Sequence, residues 1–495
     1  MKDPSSQFSS GINLVGLGPG NPAHLTLEAW RILTEADEVW FRTLHHPTIT
    51  DLPDSLEKNS FDDLYDASES FESVYEQIVT RVISLGQREQ GVIYAVPGHP
   101  LIAENTGPEI LARAADKGIP VRVVEGLSFI EPMVSAVGLD PFPHASWVDA
   151  FELATAHHPA FPPDVPAFIA QIHSRTMATA VKLTLMAQYP DEHPVMLIHG
   201  AGTPEQQVEA LPLYAIDHSE HIGLLTSLYL PPLEALTSFG SFLEIIAHLR
   251  APEGCPWDRK QTHQTLRRYL IEETYEVLDA LDAGDADELR EEMGDLLLQI
   301  GLHAQIASEN GDFNMSDVIH SINTKMIHRH PHVFGDAQAD TPEAVVTNWE
   351  ALKAKEKDAK GKNQQSVFDD IPRAMPALAQ ASKYQKKAAK TGYEWPEIDG
   401  VYDKLAEELA EVQAANTLDE KRSEIGDLLF VVVHLANWLK VDPEVALREA
   451  NRRFARRFNH IEISAAAQGR QISEMKLDEM ISLWQQAKQL EGSES

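Results

Sequence analysis

A chain of 495 residues, 43% hydrophobic and 24% charged, is too long for one ordinary core and predicts two to four domains of about 100–200 residues. Its 41 Lys and Arg against 76 Asp and Glu give a formal net charge of −35, which repels nucleic acid and anionic lipid and disfavours both as partners. Cys255 is the only cysteine, so an intramolecular disulfide and a cysteine-based zinc site are excluded. The opening Met-Lys-Asp-Pro-Ser-Ser-Gln has no apolar signal core. The most apolar helical stretch, Leu428 to Leu439, falls short of the roughly 20 residues a membrane span needs. A soluble, reducing, cytoplasmic setting is expected.

From about residue 11 to 232 the pattern is α/β. Ile12–Val15, Gly91–Val96, Val121–Val124 and Val195–Ile198 read as short apolar strands bounded by glycine or proline. Leu27–Ala36, Tyr75–Leu85 and Glu109–Lys117 read as helices between them. Strands alternating with helices predict a largely parallel sheet. Pro231-Pro232 marks a boundary, beyond which long amphipathic helices take over, as in Leu266–Leu281 and Glu288–Ala307. A Lys-rich linker is expected over Lys353–Gln365, and the tail Glu491–Ser495 is expected to fray.

The helical half repeats itself at an offset near 130 residues. Glu272-Glu273-x-x-Glu276 returns as Glu407-Glu408-x-x-Glu411, and Glu292-x-x-Asp295 as Glu424-x-x-Asp427. Lys325 with Arg329 returns as Arg453 with Arg457, and Trp349 with Lys353 as Trp484 with Lys488. Each acidic pair is three residues apart and shares one helix face. In the first copy Ala283-Gly284-Asp285 supplies a turn, so the two acidic helices lie antiparallel and their faces can meet. Four converging carboxylates repel unless a cation sits among them, and hard oxygen ligands suit Mg²⁺ or Mn²⁺. A solvated acidic face is the ordinary fate of such glutamates. Against it stand the apolar runs that follow Asp295 and Asp427, and the recurrence of all four positions. A di-iron bundle would place Glu-x-x-His on its ligand helices, which this chain lacks there. Metal-binding acids beside paired cations suit a polyphosphate substrate. The tryptophans read equally well as core packing.

These residues resemble the MazG family of all-α nucleoside triphosphate pyrophosphohydrolases, whose pattern is EExxE followed by ExxD. The resemblance runs from about Phe239 to Leu490 and includes Gly254–Asp258 and Asn451–Phe454. It implies Mg²⁺-dependent cleavage of a nucleoside triphosphate between its α- and β-phosphates. It also implies a homodimer, because helices of this type complete their bundle with a partner subunit. By the same resemblance Glu273, Glu276, Glu292 and Asp295 are metal ligands, as are Glu408, Glu411, Glu424 and Asp427. Lys325, Arg329, Lys353, Arg453, Arg457 and Lys488 then contact the triphosphate, joined by Lys383. Arg453 stands where the family usually has Lys, which keeps the charge and alters its geometry.

In the first half, Gly16-Leu17-Gly18-Pro19-Gly20 closes a strand before a helix. Such a turn lets backbone approach a ligand, yet its spacing fits neither a dinucleotide fingerprint nor a phosphate-binding loop. With Leu25-Thr26-Leu27, Pro97-Gly98-His99-Pro100, Gly126-Leu127-Ser128 and Gly138-Leu139, residues 11–232 resemble the tetrapyrrole methylase family. The resemblance implies two α/β subdomains with S-adenosylmethionine in the cleft between them, bordered by Gly16, Gly18, Pro19, Gly98 and His99. His99 replaces the commoner Asp.

The expected architecture is an α/β methylase-like domain over 1–235, followed by two all-α MazG-like domains over 236–365 and 366–495. The order resembles a bacterial fusion family. The leading expectation is a nucleoside triphosphate pyrophosphohydrolase fused to a methyltransferase-like domain. The competing expectations are a methyltransferase whose helical half dimerises or senses nucleotides, and a scaffold with degenerate sites.

Overall fold

The structure is a computed structural model and describes residues 10–67, 71–359 and 366–493. Its contacts divide into two compact units, Met1–Ser321 and Ile322–Ser495.

The first unit opens with β1 (Ile12–Gly16), α1 (Leu27–Glu35), β2 (Glu38–Phe41) and β3 (Glu57–Ser60). It continues through α2 (Asp62–Ala67), α3 (Phe71–Gly86), β4 (Val92–Val96), α4 (Thr106–Asp116) and β5 (Val121–Val124). The strands form one sheet in the order β3-β2-β4-β1-β5, and every pairing is parallel. Parallel strands need crossovers and hydrophobic cover on both faces; the helices make the crossovers, and the alternation of β1 supplies apolar side chains to both faces. Ile12 and Leu14 join Ile78, Val82, Ile110 and Ala114 of α3 and α4. Val15 and Leu17 join Ala29, Ile32 and Leu33 of α1 on the other face. The Thr26 hydroxyl caps α1 by accepting the Ala29 amide at 3.1 Å.

After α5 (Ile130–Val137), which ends at Gly138 with φ +73°, a second sheet is built. It comprises β6 (Ser146–Asp149), β7 (Ala167–Ala170), β8 (Pro194–His199), β9 (Gln207–Pro212) and β10 (Thr226–Leu230), with α6 (Ala150–Thr155) and α7 (Arg175–Leu185) between them. Its order is β6-β7-β10-β8-β9. Only β6–β7 is parallel; β10 runs against β7 and β8, and β9 against β8. The largely parallel arrangement expected therefore holds for the first sheet and fails for the second. A short turn joins β8 to β9, and such a turn permits only antiparallel neighbours. One face of this sheet packs on Leu153, Ala178 and Val181 of α6 and α7. The other brings Phe168, Ile198 and Tyr229 onto Met133 of α5.

Beyond Leu230 the described residues contain no strand. The first unit ends with α8 (Phe239–Arg250), α9 (Arg267–Ala283) and α10 (Ala286–Asn310). Ile246 and Phe242 of α8 pack on Leu302 and Ile306 of α10. A side chain at Gly301 would meet Ile246 Cδ1 at 2.3 Å, so glycine lets these helices close. The turn read at Ala283–Asp285 is present. Gly284 ends α9 with φ +71°, and the Asp285 carboxylate caps α10 by accepting the Asp287 and Glu288 amides at 3.0 and 3.1 Å.

α11 (Met315–Arg329) carries the chain into the second unit. There follow α12 (Pro331–Phe334), α13 (Pro342–Ala359), α14 (Ala377–Lys390), α15 (Asp399–Ala414), α16 (Leu418–Trp438), α17 (Pro443–Ala467) and α18 (Leu477–Ser493). The linker expected from Lys353 is helical as far as Ala359, because its Ala, Lys and Glu residues are strong helix formers. The rest of that linker, 360–365, lies outside the described residues. The tail expected to fray from Glu491 is helical to Ser493, and residues 494–495 lie outside. α15 and α16 form the second hairpin, with Thr417 and Glu420 making a reciprocal capping box. Gln385 of α14 donates to the Phe430 carbonyl of α16 at 2.7 Å, and Ser382 donates to Asn437 at 2.7 Å. Among the described residues no helix is long and apolar enough to cross a membrane.

Candidate active site

Each helical hairpin brings carboxylates from its two helices together. In the first, oxygens of Glu273 and Glu276 on α9 and of Glu292 on α10 lie within 4.8 Å of one another. In the second, Glu408 on α15 and Glu424 and Asp427 on α16 do the same. The fourth acid of each set stays outside the triplet: Asp295 in the first copy, Glu411 in the second. Both are close enough to act by charge. Asp295 raises the Glu273 and Glu292 carboxyls, and Glu411 raises that of Glu424.

The electrostatics are those of a site short of positive charge. Partial burial, a hydrogen bond with Glu276 and the Asp295 charge push the Glu273 carboxyl up to about 7. Glu292 is raised by desolvation and then by Glu276 and Asp295, and Glu424 by desolvation and then by Glu411 and Asp427. Glu408 is 4% exposed. Its Oε1 receives Lys404 Nζ at 2.8 Å, while its Oε2 is buried with no hydrogen-bond partner. An orphaned carboxylate oxygen among other carboxylates is costly, and a hard divalent cation is the group that relieves it. The donor set, all carboxylate oxygen, fits Mg²⁺ or Mn²⁺.

The cations divide differently. Lys325, Arg329 and Lys353 belong to the second unit, the first-copy acids to the first. In the second copy, Lys383 on α14, Arg453 on α17 and Lys488 on α18 lie exposed, and Arg457 on α17 is half-buried. Among the described residues none of these four forms an ion pair with the acidic triplet. Arg453 lies 3.8 Å from Glu449 of its own helix.

A feature that sequence reasoning missed accompanies both arginines. Arg329 lies over the Trp349 ring, 5.3 Å from its centroid, and pairs with Glu356 at 2.5 Å. Arg457 lies over Trp484 at 5.6 Å and pairs with Glu491 at 2.7 Å. The tryptophans are thus neither plain core nor bare surface; Trp484 also packs on Phe454. The signal was available: Trp, Lys and Glu recur with one spacing as Trp349, Lys353, Glu356 and Trp484, Lys488, Glu491. Also unassigned was a cavity of about 630 Å³ beside the start of α9, lined by Trp257, Gln261, Gln264, Arg268 and Tyr269.

In the α/β half the glycines predicted to border a cleft do come together. Gly18 and Gly98 bridge the loops after β1 and β4, with amide–carbonyl distances of 3.2 and 2.8 Å. A Cβ on Gly16 would meet the Gly98 carbonyl and the Gly126 amide at 2.7 Å each. Pro19 packs beside Gly202 of the second sheet's loops. His99 Nδ1 accepts the Leu101 amide at 3.1 Å, which leaves it a turn-forming role. Buried His46 donates from Nε2 to the Gly18 carbonyl at 3.1 Å, and burial holds it down to about 4.

Fold and site together define a methylase-type α/β domain joined to paired acidic hairpins of the pyrophosphohydrolase type. Family models agree along the chain. Residues 11–217 match Tetrapyrrole (Corrin/Porphyrin) Methylases. Residues 261–334 match the MazG nucleotide pyrophosphohydrolase domain, and 375–454 match Phosphoribosyl-ATP pyrophosphohydrolase. The chain is 39% identical to the uncharacterized protein YabN of Bacillus subtilis, over 97% of this chain and 99% of that protein. It is 44% identical to the nucleoside triphosphate pyrophosphohydrolase/pyrophosphatase MazG of Thermotoga maritima, over 52% of this chain and 97% of that protein. A uroporphyrin-III-C-methyltransferase from Thermus thermophilus aligns at TM-score 0.35 and 24% identity, over 45% of this chain and 92% of that one. The chain belongs to the MazG family, in the form that fuses a tetrapyrrole methylase-like domain to tandem helical domains.

Proposed function

We propose that the helical half is a Mg²⁺-dependent nucleoside triphosphate pyrophosphohydrolase, converting NTP and water to NMP and pyrophosphate. The observation that carries this reading is the duplicated carboxylate triplet, one copy holding the buried, unpartnered Glu408 Oε2. Glu273, Glu276 and Glu292, and in the second copy Glu408, Glu424 and Asp427, would hold the metal, with Asp295 and Glu411 completing each set. Bound there, Mg²⁺ supplies charge neutralisation at phosphate oxygens and a more acidic water. The chain's own contribution is orientation and counter-charge. Lys325, Arg329 and Lys353, and Lys383, Arg453, Arg457 and Lys488, hold the triphosphate and stabilise the pyrophosphate as it leaves. The cavity beside the start of α9, where Trp257 offers a ring and Gln264 an amide, is the proposed place for the nucleobase. Pyrophosphate release from NTPs with Mg²⁺ tests the reading. Release unchanged by Glu273→Gln combined with Glu408→Gln would overturn it.

A second reading rests on the glycine contact of the α/β half. The close approach of Gly16, Gly98 and Gly126 at the carboxyl ends of β1, β4 and β5 is where open α/β sheets take ligands. S-adenosylmethionine is the proposed ligand, bordered by Gly16, Gly18, Pro19, Gly98 and His99. Calorimetry tests it, and absence of binding would remove it. A homodimer is proposed from exposed apolar side chains on the acidic hairpins: Ile271, Met293 and Ile300 in the first, Leu409, Leu429 and Val432 in the second.

A further inference from the structure

The two arginine–glutamate pairs share more than their partners. Arg329 on α11 uses Nε and Nη2 toward Glu356 on α13, at 3.3 and 2.5 Å. Arg457 on α17 uses the same two nitrogens toward Glu491 on α18, at 2.9 and 2.7 Å. In each copy the residue just before the arginine approaches the glutamate Oε1: His328 Nδ1 at 3.1 Å, Arg456 Nη2 at 3.5 Å. In each copy the guanidinium carbon lies over the ring of the tryptophan seven residues before the glutamate, 5.3 and 5.6 Å from its centroid.

A guanidinium carries five N–H donors in a rigid fork and offers more than one edge to acceptors. The glutamate takes the Nε–Nη2 edge, and the guanidinium lies over the indole. Among the described residues, Nη1 of neither arginine donates to a protein group. An ion pair kept only for stability would contribute little at a part-exposed site. We infer that Glu356 and Glu491 are positioning residues, each clamping the Nε–Nη2 edge of its arginine so that the Nη1 edge is presented to a phosphate oxygen. The device removes rotamer freedom from a long side chain before substrate arrives, so less entropy is lost on binding. The inference rests on the pyrophosphohydrolase reading, since it assigns Arg329 and Arg457 to the triphosphate.

The test uses the full chain carrying Glu273→Gln, so that the second copy is read alone. Glu491→Gln is expected to lower kcat/KM about tenfold, chiefly through KM, and Glu491→Asp to recover most of the loss. On an Arg457→Lys background, where no fork remains to clamp, Glu491→Gln is expected to change kcat/KM less than twofold. Glu356→Gln on a Glu408→Gln background reads the first copy in the same way. Circular dichroism and the melting temperature check folding, and calorimetry with an α,β-methylene nucleoside triphosphate and Mg²⁺ reads affinity without turnover. An unchanged or lowered KM in Glu491→Gln, or a full tenfold effect on the Arg457→Lys background, would overturn the inference. If the Glu273→Gln chain released no pyrophosphate, second-copy turnover itself would fail. The calorimetric arm would still decide, because equal analogue affinity in Glu491→Gln contradicts the clamp.

Discussion

At the scale of residues, the two glutamates that enter each hairpin from α9 and α15 differ in their surroundings. Glu408 is buried beside Lys404, whereas Glu273 is half-buried among other acids. Both carry the same expectation: Glu273→Gln and Glu408→Gln each lower turnover in their own copy by roughly 100-fold, the scale of losing one preorganised electrostatic group. Mg²⁺ is expected to raise the melting temperature of the full chain by mass action, and the double variant to lose that rise. His46 gives a pH prediction. Its folded pKa, about 4, lies below the ordinary 6.5 because burial disfavours the charged ring. The folded state therefore holds fewer protons than the unfolded between these values. Stability is whole above pH 6.5 and falls toward pH 4, by up to about 3 kcal/mol. Denaturation at pH 7 and pH 5 checks this; His46→Gln should flatten the difference.

The acids, cations and glycines were legible at this scale because each sits in a short local pattern. Glu356 and Glu491 were not singled out, because their arginine partners lie 27 and 34 residues away on other helices. Only their repeated distance from tryptophan betrayed them. Burial of Glu408 was equally hidden, since nothing local distinguishes it from exposed Glu407.

At the scale of elements, the glycine cradle separates two reasons for glycine. A methyl group at Gly16 would collide with backbone on two sides, whereas one at Gly98 meets nothing within 4 Å and suffers only from φ +68°. Gly16→Ala is therefore expected to destabilise the α/β half by about 1–3 kcal/mol or more and to abolish S-adenosylmethionine binding. Gly98→Ala should cost about 1–2 kcal/mol. Chemical denaturation of both variants checks the order. The hairpins were legible because apolar periodicity, capping residues and a glycine turn agree. The second sheet was not. Its strands are four to six residues long, and strand direction is set by pairing across the sheet, which no local pattern encodes. Lys353–Ala359 is rich in charge, as linkers are, yet its Ala, Lys and Glu residues favour helix and it is helical.

At the scale of the whole molecule, the charge of −35 taken in bulk disfavours polyanions. Eight of its carboxylates now form two sets with a shared proposed task, and a triphosphate reaches them in company with a divalent cation. The exposed apolar faces of the hairpins predict a solution mass near twice 55.0 kDa, which light scattering after size exclusion checks; a monomer at micromolar concentration would contradict the dimer. The proposed activity is hydrolysis by duplicated acidic hairpins. It is tested most directly by pyrophosphate release from NTPs with Mg²⁺, compared among the wild-type chain, Glu273→Gln, Glu408→Gln and the double variant. The expected result is release by the wild type, retention in at least one single variant and loss in the double variant. Release that survives in the double variant, or none from the wild type, would contradict it.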